Sequence, residues 1–201
     1  MEERPSSLEL FGPTIDMERD PRWGRNEEAY GEDPCLTGKM SAAYCRGLTG
    51  KDEKYLKTAP LLKHFYANNY ENERQTTNAN ITPRLKHEYY LKAFEPAVRE
   101  GRAPGLMTAY NCINGVEGVN NSDVSEICKK EWGMTFAVSD AGDFGQNVAA
   151  HRTYENHAQS MGDIPAVGAD ILLHTRSLAS PPVRDHLEKG HPFAREHLRH
   201  R

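Results

Sequence analysis

The sequence has no Cys-x-x-Cys pair, no run of 18 consecutive apolar residues and no excess of positive charge. Cys35, Cys45, Cys112 and Cys128 lack the spacing of a zinc ribbon or a thioredoxin-like motif, so we interpret them as reduced thiols. Because reduced thiols are typical of reducing compartments, we predict a cytoplasmic location. The simplest role for Cys35 and Cys45 is packing within a helix.

The shortness of the apolar runs excludes a membrane-spanning helix, and the first residues lack the basic segment and apolar core of a signal peptide. A formal net charge of -4 disfavours a nucleic-acid partner, since binding phosphates usually requires a basic face. The length of 201 residues fits one globular domain. We therefore expect a small neutral or polar ligand, with neither nucleic acid nor membrane as a partner.

Short apolar runs alternate with segments of helical spacing along most of the chain. The predicted strands are Leu10–Asp16, Ala59–Phe65, Gly105–Asn111, Phe136–Asp140 and Asp170–His174. The predicted helices are about Asp33–Leu48, Thr82–Glu100, Ser122–Trp132, Tyr154–Val167 and Pro181–Lys189, with Ser122 and Asp123 as caps and Gly101 and Gly190 as stops. This alternation is typical of parallel βα units.

About five βα units are too few for a closed eight-stranded barrel, which needs about 250 residues. We therefore predict an α/β fold that is a partial TIM-type (β/α) barrel, without its first strands. Residues 1–190 would form this domain, and residues 191–201 a disordered or aberrant tail. In the tail, His197 and His200 could share a helix face, but no carboxylate or cysteine completes a metal site, and we predict none.

The segment 136–143 carries Asp140 from a short apolar strand into a loop that contains glycine. In parallel β/α folds the catalytic groups lie at the carboxyl ends of strands, where loops open to substrate. Asp140 is therefore a candidate catalytic carboxylate. The alternative interpretation is that Asp140 caps the next helix, since Asp is common at that position.

A second polar segment, residues 19–25, places three arginines and a tryptophan in a loop after the first strand. We interpret Arg19, Arg22, Glu32 and Asp33 as a network of arginines and carboxylates that braces the rim of the sheet. Arg25, at the far end of the loop, is the better candidate for binding a ligand.

Two other predicted strands also end in polar side chains. Lys63 and His64 interrupt a buried run, and burying both without a partner would be costly. Their donors and acceptor suit adjacent hydroxyls of a pyranose ring. Tyr110 and Asn111 end the next strand, although Tyr110 could also be an aromatic residue of the core.

Six short motifs follow one another in a specific order. They are RDPRWGR at 19–25, E-x-Y-G-E-D-P at 28–34, KHF at 63–65, AYN at 109–111, EWG at 131–133 and VSD at 138–140. In this order they resemble the N-terminal catalytic domain of family 3 glycoside hydrolases, in the branch that contains β-glucosidases and β-xylosidases. The resemblance spans about residues 10–175, which is most of the chain.

The resemblance implies a role for each candidate residue. Asp140 matches the catalytic nucleophile, and Arg25, Lys63 and His64 match residues that bind sugar hydroxyls. Tyr110 lies beside the nucleophile, and we expect it to contact the substrate as well. It also implies a retaining mechanism through a covalent glycosyl-Asp140 intermediate, with no cofactor and no metal. The expected substrates are small β-glycosides or oligosaccharides, and the choice between glucosides and xylosides stays open.

The same resemblance implies parts that this sequence does not match. In the family, earlier strands bring another sugar-binding aspartate, and a second α/β sandwich domain supplies the general acid/base. We therefore expect the isolated 201-residue chain to turn over little or nothing. The alternatives are a non-catalytic sugar-binding remnant and an unrelated α/β interaction protein.

Overall fold

The computed structural model describes residues 8–173. The strands are β1 Glu9–Thr14, β2 Ala59–Phe65, β3 Asn78–Ala79, β4 Gly105–Thr108, β5 Cys112–Ile113, β6 Val116–Glu117 and β7 Phe136–Val138. Four of them form a parallel sheet in the order β1-β2-β4-β7, and the other three form a small sheet in the order β3-β5-β6. The large sheet continues through a single parallel bridge from Val138 to Ile171.

Helices connect the strands of the large sheet. They are α1 Pro34–Thr49, α2 Pro83–Leu85, α3 Leu91–Arg99, α4 Asp143–Ala149 and α5 His157–Val167. Between α2 and α3 the chain forms a π-helical segment, Lys86–Tyr90, and a second one, Val124–Glu131, precedes β7. No helix within residues 8–173 is long and apolar enough to cross a membrane.

The N-terminus of α1 shows how the sequence sets a helix boundary. The Asp33 carboxylate accepts hydrogen bonds from the amides of Cys35 and Leu36, at 2.7 and 2.9 Å, and Pro34 occupies the first helical position. Asp33 is thus a helix cap and not part of a bracing network. Cys35 is exposed at this end of the helix, so the predicted packing role is wrong for it, while Cys45 is buried.

The core lies between the sheet and the helices that cover it. Leu62 and Phe65 of β2 are fully buried there, and the Phe65 ring packs edge-on against Phe94 of α3 with ring centroids 5.2 Å apart. Leu61 is buried in a separate cluster with Met107 and Val138. At one end of the sheet, β1 pairs with β2 alone among the strands within residues 8–173, and its Phe11 side chain is exposed.

Several predicted strands are shorter than expected. The strand from Gly105 ends at Thr108, because the chain then turns away to form the small sheet, and β7 ends at Val138. The predicted strand Asp170–His174 is reduced to the bridge at Ile171 within the described residues. Helix α5 begins at His157 instead of Tyr154, because Asn156 caps it through the Gln159 amide.

The prediction that Asp123 caps the following helix is wrong. Its carboxylate binds the Tyr66 hydroxyl at 2.9 Å and the Lys86 ammonium at 2.5 Å, so long-range partners replace the local amides. The predicted helix Pro181–Lys189, its stop at Gly190 and the tail 191–201, with His197 and His200, lie outside the described residues.

Candidate active site

The candidate residues meet at one edge of the large sheet. Lys63 and His64 lie near the end of β2, Tyr110 follows β4, and Asp140 follows β7. Arg25 reaches the same edge from the loop after β1. Because the carboxyl ends of parallel strands share an edge, residues far apart in sequence become neighbours.

The imidazole of His64 is the centre of the cluster. Its Nδ1 lies 2.8 Å from Asp16 Oδ2, and the His64 backbone N–H donates to the same oxygen at 3.0 Å. Since a carboxylate only accepts hydrogen bonds, the His64 proton is on Nδ1, and this N–H donates a hydrogen bond to Asp16. The other nitrogen, Nε2, lies 3.5 Å from Arg25 Nη1 and 3.6 Å from Asp140 Oδ2.

Asp16 was not among the predicted site residues. It is fully buried just after β1, and its position below His64 fixes both the tautomer and the orientation of the ring. A signal existed in the sequence, because Asp16 ends an apolar run in the same way as Asp140.

Glu28 is a second residue that the sequence reasoning missed. Its Oε1 lies 2.8 Å from Arg25 Nε, its Oε2 lies 3.2 Å from Lys63 Nζ, and the Thr14 hydroxyl donates to Oε2 at 3.2 Å. The hydrogen bond from Arg25, with the help of Lys63, lowers the pKa of Glu28 to about 2. One carboxylate therefore holds both predicted sugar-binding cations.

The loop after β2 supplies one wall of the site. Arg74 Nη1 donates to Glu71 Oε1 at 2.8 Å, and the Arg74 guanidinium lies 4.8 Å from the centroid of the Tyr110 ring. Glu71 Oε2 is 3.7 Å from Arg25 Nη1. Glu71 and Arg74 thus connect the loop after β1 to the end of β4, and neither was predicted.

Tyr110 contacts the loop that carries Asp140. Its hydroxyl donates to the Ala141 carbonyl at 2.7 Å, and burial, followed by the charge of Asp140, raises the pKa of this hydroxyl. The Ala141 amide in turn donates to Asp140 Oδ1 at 2.7 Å. Tyr110 therefore braces the loop that follows β7.

The interpretation of Asp140 as a helix cap is wrong. Helix α4 begins at Asp143 after Gly142, which adopts a left-handed conformation with φ of 70°, while the Asp140 carboxylate binds the amide of Ala141. The Asp143 side chain is buried and accepts a hydrogen bond from the Thr108 hydroxyl at 3.1 Å. Burial, together with the charge of Asp140, raises the pKa of Asp143 well above its usual range.

The predicted bracing network is only partly present. Arg22 pairs with Asp20 in an exposed bidentate contact, with a shortest distance of 2.7 Å. Arg19 contacts tyrosines instead of a carboxylate, because its guanidinium donates to the Tyr90 hydroxyl at 2.7 Å. Glu32 contacts Tyr89 and not an arginine: its backbone carbonyl accepts a hydrogen bond from the Tyr89 hydroxyl.

The polar groups at this edge of the sheet indicate which kind of ligand the site can bind. Arg25 and Lys63 supply hydrogen-bond donors along one edge of the sheet, His64 offers Nε2 as an acceptor, and Asp140, whose side chain is 14% exposed, offers a carboxylate oxygen next to them. Donors beside a carboxylate suit a neutral ligand with several hydroxyls and an electrophilic carbon.

Comparison with known proteins identifies relatives of this chain. Residues 8–196 match the family model described as the glycosyl hydrolase family 3 N terminal domain. β-Glucosidase B from Emericella nidulans is 42% identical over 143 residues, which is 70% of this chain and 16% of that protein. Probable β-glucosidase I from Aspergillus clavatus is 37% identical over 150 residues, covering 69% of this chain and 17% of that protein.

Solved structures show the same fold. A β-glucosidase from Erythrobacter marinus superposes with a TM-score of 0.84 at 28% identity, covering 94% of this chain and 26% of that one. A family 3 exo-β-xylosidase, XlnD, solved with a xylobiose aziridine probe, gives a TM-score of 0.80 at 27% identity, covering 84% of this chain and 23% of that one. These neighbours confirm the predicted partial barrel.

The chain therefore spans about a sixth of the length of the curated β-glucosidases that it matches. The family match covers nearly all of the chain, and the ordered motifs lie within it. The chain belongs to the N-terminal domain family of the family 3 glycoside hydrolases.

Proposed function

We propose that the chain forms the nucleophile half of a β-glucosidase-like site that hydrolyses terminal β-D-glycosidic bonds with retention of configuration. The observation that supports this proposal is the 3.6 Å distance between His64 Nε2 and Asp140 Oδ2, since it brings a carboxylate next to the polar groups that we assign to sugar binding. The names of the curated relatives support the choice of a β-glucoside.

In the proposed reaction, an Asp140 oxygen attacks the anomeric carbon and the bond to the leaving oxygen breaks. The electron pair goes to that oxygen, which takes a proton from a second carboxyl. Water then attacks the anomeric carbon while the second group, now a carboxylate, takes a proton from it, and the bond to Asp140 breaks, which releases the sugar and restores both carboxyl groups to their starting forms. Retaining enzymes hold the two carboxyls roughly 5–5.5 Å apart. We place the second carboxyl on a segment outside this chain.

Binding of the sugar is assigned to three side chains. Lys63 has three N–H donors, of which one points to Glu28, and Arg25 presents its guanidinium edge towards His64. Because Glu28 fixes the two cations in advance, little side-chain entropy is lost when a sugar arrives. Tyr110, predicted to contact the substrate, would line the pocket while its hydroxyl holds Ala141.

A β-xylosidase function is the second candidate. It is favoured by the similarity to the exo-β-xylosidase XlnD at a TM-score of 0.80. Glucose and xylose share their ring hydroxyls and differ by one hydroxymethyl group, so the donors of Arg25 and Lys63 and the acceptor of His64 suit either sugar. A non-catalytic sugar-binding remnant would keep these donors without turnover.

The proposed domain organisation follows from the same reasoning. We propose that residues 1–190 form the partial barrel, that residues 191–201 form a tail, and that a second domain completes the site. The isolated chain should then bind sugar weakly and hydrolyse little or nothing.

The test uses a chimera in which this chain replaces the matching segment of β-glucosidase B. A 2-fluoro β-glucoside should add its mass to the peptide that contains Asp140, and Asp140→Asn should abolish hydrolysis of aryl β-glucosides. Asp52→Asn, at an exposed turn before β2, is the matched control. Undiminished hydrolysis by the Asp140→Asn chimera would disprove the nucleophile assignment.

A sugar-binding remnant gives a different result. Calorimetry on the unmodified chain should then detect glucose or xylose, while the chimera shows no covalent labelling. Comparing 2-fluoro glucoside with 2-fluoro xyloside labelling rates in the chimera decides between the two glycosidase candidates.

A further inference from the structure

A polar pocket outside the candidate active site has no role in the proposed reaction. Its volume of about 420 Å³ lies within the range of small-molecule sites, roughly 300–1,000 Å³. The pocket is formed by the loop after β1 and the loop after β2, and the residues that line it are Asp20, Arg22, Trp23, Asn69, Tyr70 and Asn72. We call it the loop pocket.

The loop pocket and the candidate active site are built from the same two loops. The Glu71 amide donates to the Trp23 carbonyl at 3.2 Å, which joins the loops. Arg25 and Glu71 meet in the active site, with 3.7 Å between Arg25 Nη1 and Glu71 Oε2, and neither lines the loop pocket. The loops therefore bring different side chains to two separate sites.

The lining of the loop pocket carries no net charge. Arg22 Nε donates to Asp20 Oδ1 at 2.9 Å, and Arg22 Nη2 donates to Asp20 Oδ2 at 2.7 Å. The other lining residues are uncharged, so the pair balances itself. A lining of this kind favours a neutral ligand over an anion or a cation.

Arg22 keeps hydrogen-bonding capacity after it has paired with Asp20. Its side chain is 88% exposed, and its Nη1 donors have no partner among residues 8–173. The sequence suggested that Arg22 braces the rim of the sheet, but the structure pairs it within its own loop. Its remaining N–H groups are available to a ligand hydroxyl.

Two aromatic side chains give the loop pocket an apolar part. Trp23 is 2% exposed and forms its base, whereas Tyr70 is 45% exposed and forms a side. Aromatic rings pack against the C–H groups on the faces of a pyranose ring, and the amide of Asn72 offers both a donor and an acceptor to its hydroxyls. Aromatic rings beside such polar groups suit a saccharide.

Two buried polar atoms of lining residues add to this capacity. Trp23 Nε1, a donor, and Asn69 Oδ1, an acceptor, have no hydrogen-bond partner within residues 8–173. Buried polar groups usually have a partner, so the base of the loop pocket holds bonding capacity that the described side chains leave unused.

We propose that the loop pocket is a second saccharide site, which binds a neutral sugar unit separately from the site at Asp140. The uncharged lining, the two aromatic rings and the unused donors and acceptors all match this class of ligand. An oligosaccharide held here stays beside the candidate active site, so its local concentration there rises. The inference goes beyond the proposed function, because binding at the loop pocket requires no turnover.

The experiment is a titration of the ¹⁵N-labelled 201-residue chain with cellobiose, followed by NMR. The sequence has two tryptophans, Trp23 and Trp132, and the Trp132 ring packs on Phe65 in the core. The Trp23 indole signal and the side-chain amide signals of Asn69 and Asn72 should move together and saturate, while the Trp132 indole signal stays in place. Trp23→Phe assigns the two indole signals.

Tyr70→Ala removes the exposed ring of the loop pocket and should raise the Kd for cellobiose about fivefold. Tyr55→Ala is the matched control, because Tyr55 is 65% exposed and lies outside the pocket. Arg22→Gln gives a second variant, which should also weaken binding. Equal affinities of Tyr70→Ala, Arg22→Gln and the control would overturn the proposal, as would a Trp23 signal that does not move up to the solubility limit of cellobiose.

Two further variants separate the loop pocket from the candidate active site. Lys63→Met and Asp140→Asn should leave the movement of the Trp23 signal unchanged, because neither residue lines the loop pocket. If Lys63→Met abolishes this movement, cellobiose binds at the candidate active site alone and the inference fails, while the proposed function stands. The nucleophile assignment is tested by the chimera, so its failure leaves this result unaffected.

Discussion

The Lys63 ammonium lies 3.2 Å from Glu28 Oε2, on the same carboxylate that binds Arg25. The two predicted sugar-binding cations are thus neutralised in part by one acid that approaches from the loop after β1. Their positions depend on a residue that need not touch the sugar. This arrangement gives the first prediction.

Replacing Glu28 with Gln should weaken sugar binding, because the two cations lose the charge that orients them. We expect about a tenfold rise in KM of the chimera for aryl β-glucosides, with a smaller change in kcat. Steady-state kinetics measures both. An unchanged KM would show that Lys63 and Arg25 keep their positions without Glu28.

The same variant should alter the acid stability of the chain. Because the folded pKa of Glu28 is lowered from 4.5 to about 2, its ionisation contributes stability that is complete above pH 4.5 and is lost as the pH falls towards 2. Since the side chain is 31% exposed, we expect a contribution of about 1 kcal/mol. Urea unfolding of Glu28→Gln should show a weaker pH dependence across this range.

Tyr110→Phe removes the hydrogen bond to the Ala141 carbonyl and leaves the ring in place. We expect a loss of about 1 kcal/mol in the free energy of unfolding, which is typical of one buried hydrogen bond. In the chimera, kcat should fall more than KM changes, because the loop that carries Asp140 is loosened. Tyr55→Phe, at an exposed tyrosine, should leave both quantities unchanged.

Gly118→Ala should be strongly destabilising. A Cβ at this position would lie 2.2 Å from the Ala109 carbonyl oxygen, so the backbone near Tyr110 has to shift. We expect a cost above about 2 kcal/mol in urea unfolding. Gly47→Ala in α1 is the matched control. Its Cβ has no neighbour within 4 Å, and the change should stabilise the helix by about 0.5–1 kcal/mol.

Lys86→Met removes the cation that pairs with Asp123 at 2.5 Å. The Asp123 side chain is 12% exposed, so the unpaired carboxylate should cost about 3 kcal/mol in stability. Lys130→Met, in an exposed pair with Glu126, should cost less than about 0.5 kcal/mol. Equal losses in the two variants would show that burial does not strengthen the Asp123 contact.

The strands and long helices could be predicted from the sequence because local patterns determine them. Strand β2 has the predicted bounds, Ala59–Phe65, since a short apolar run that ends in Lys63, His64 and Phe65 has few alternatives. Helix α4 was missed because it has only seven residues, which are too few to show a helical period, and one of them is Gly145. The two-residue strands β3, β5 and β6 carry no periodic signal at all.

The site was predictable only in part for a related reason. Arg25, Lys63, His64 and Asp140 stand at strand ends or in dense motifs, and the structure brings them together. Their supporting partners lie far away in sequence. Asp16 meets His64 across 48 residues, so its role depends on the register of β1 against β2, which no local pattern encodes.

The apolar side chains at the start of β1 bear on how the chain behaves at different concentrations. Within residues 8–173, Leu8, Leu10 and Phe11 are exposed, and β1 pairs with β2 alone among the strands of that range. Exposed apolar side chains beside a strand favour association with another chain. We expect self-association through these side chains to increase with concentration, so sugar titrations of the chain at micromolar and millimolar protein should give different apparent affinities.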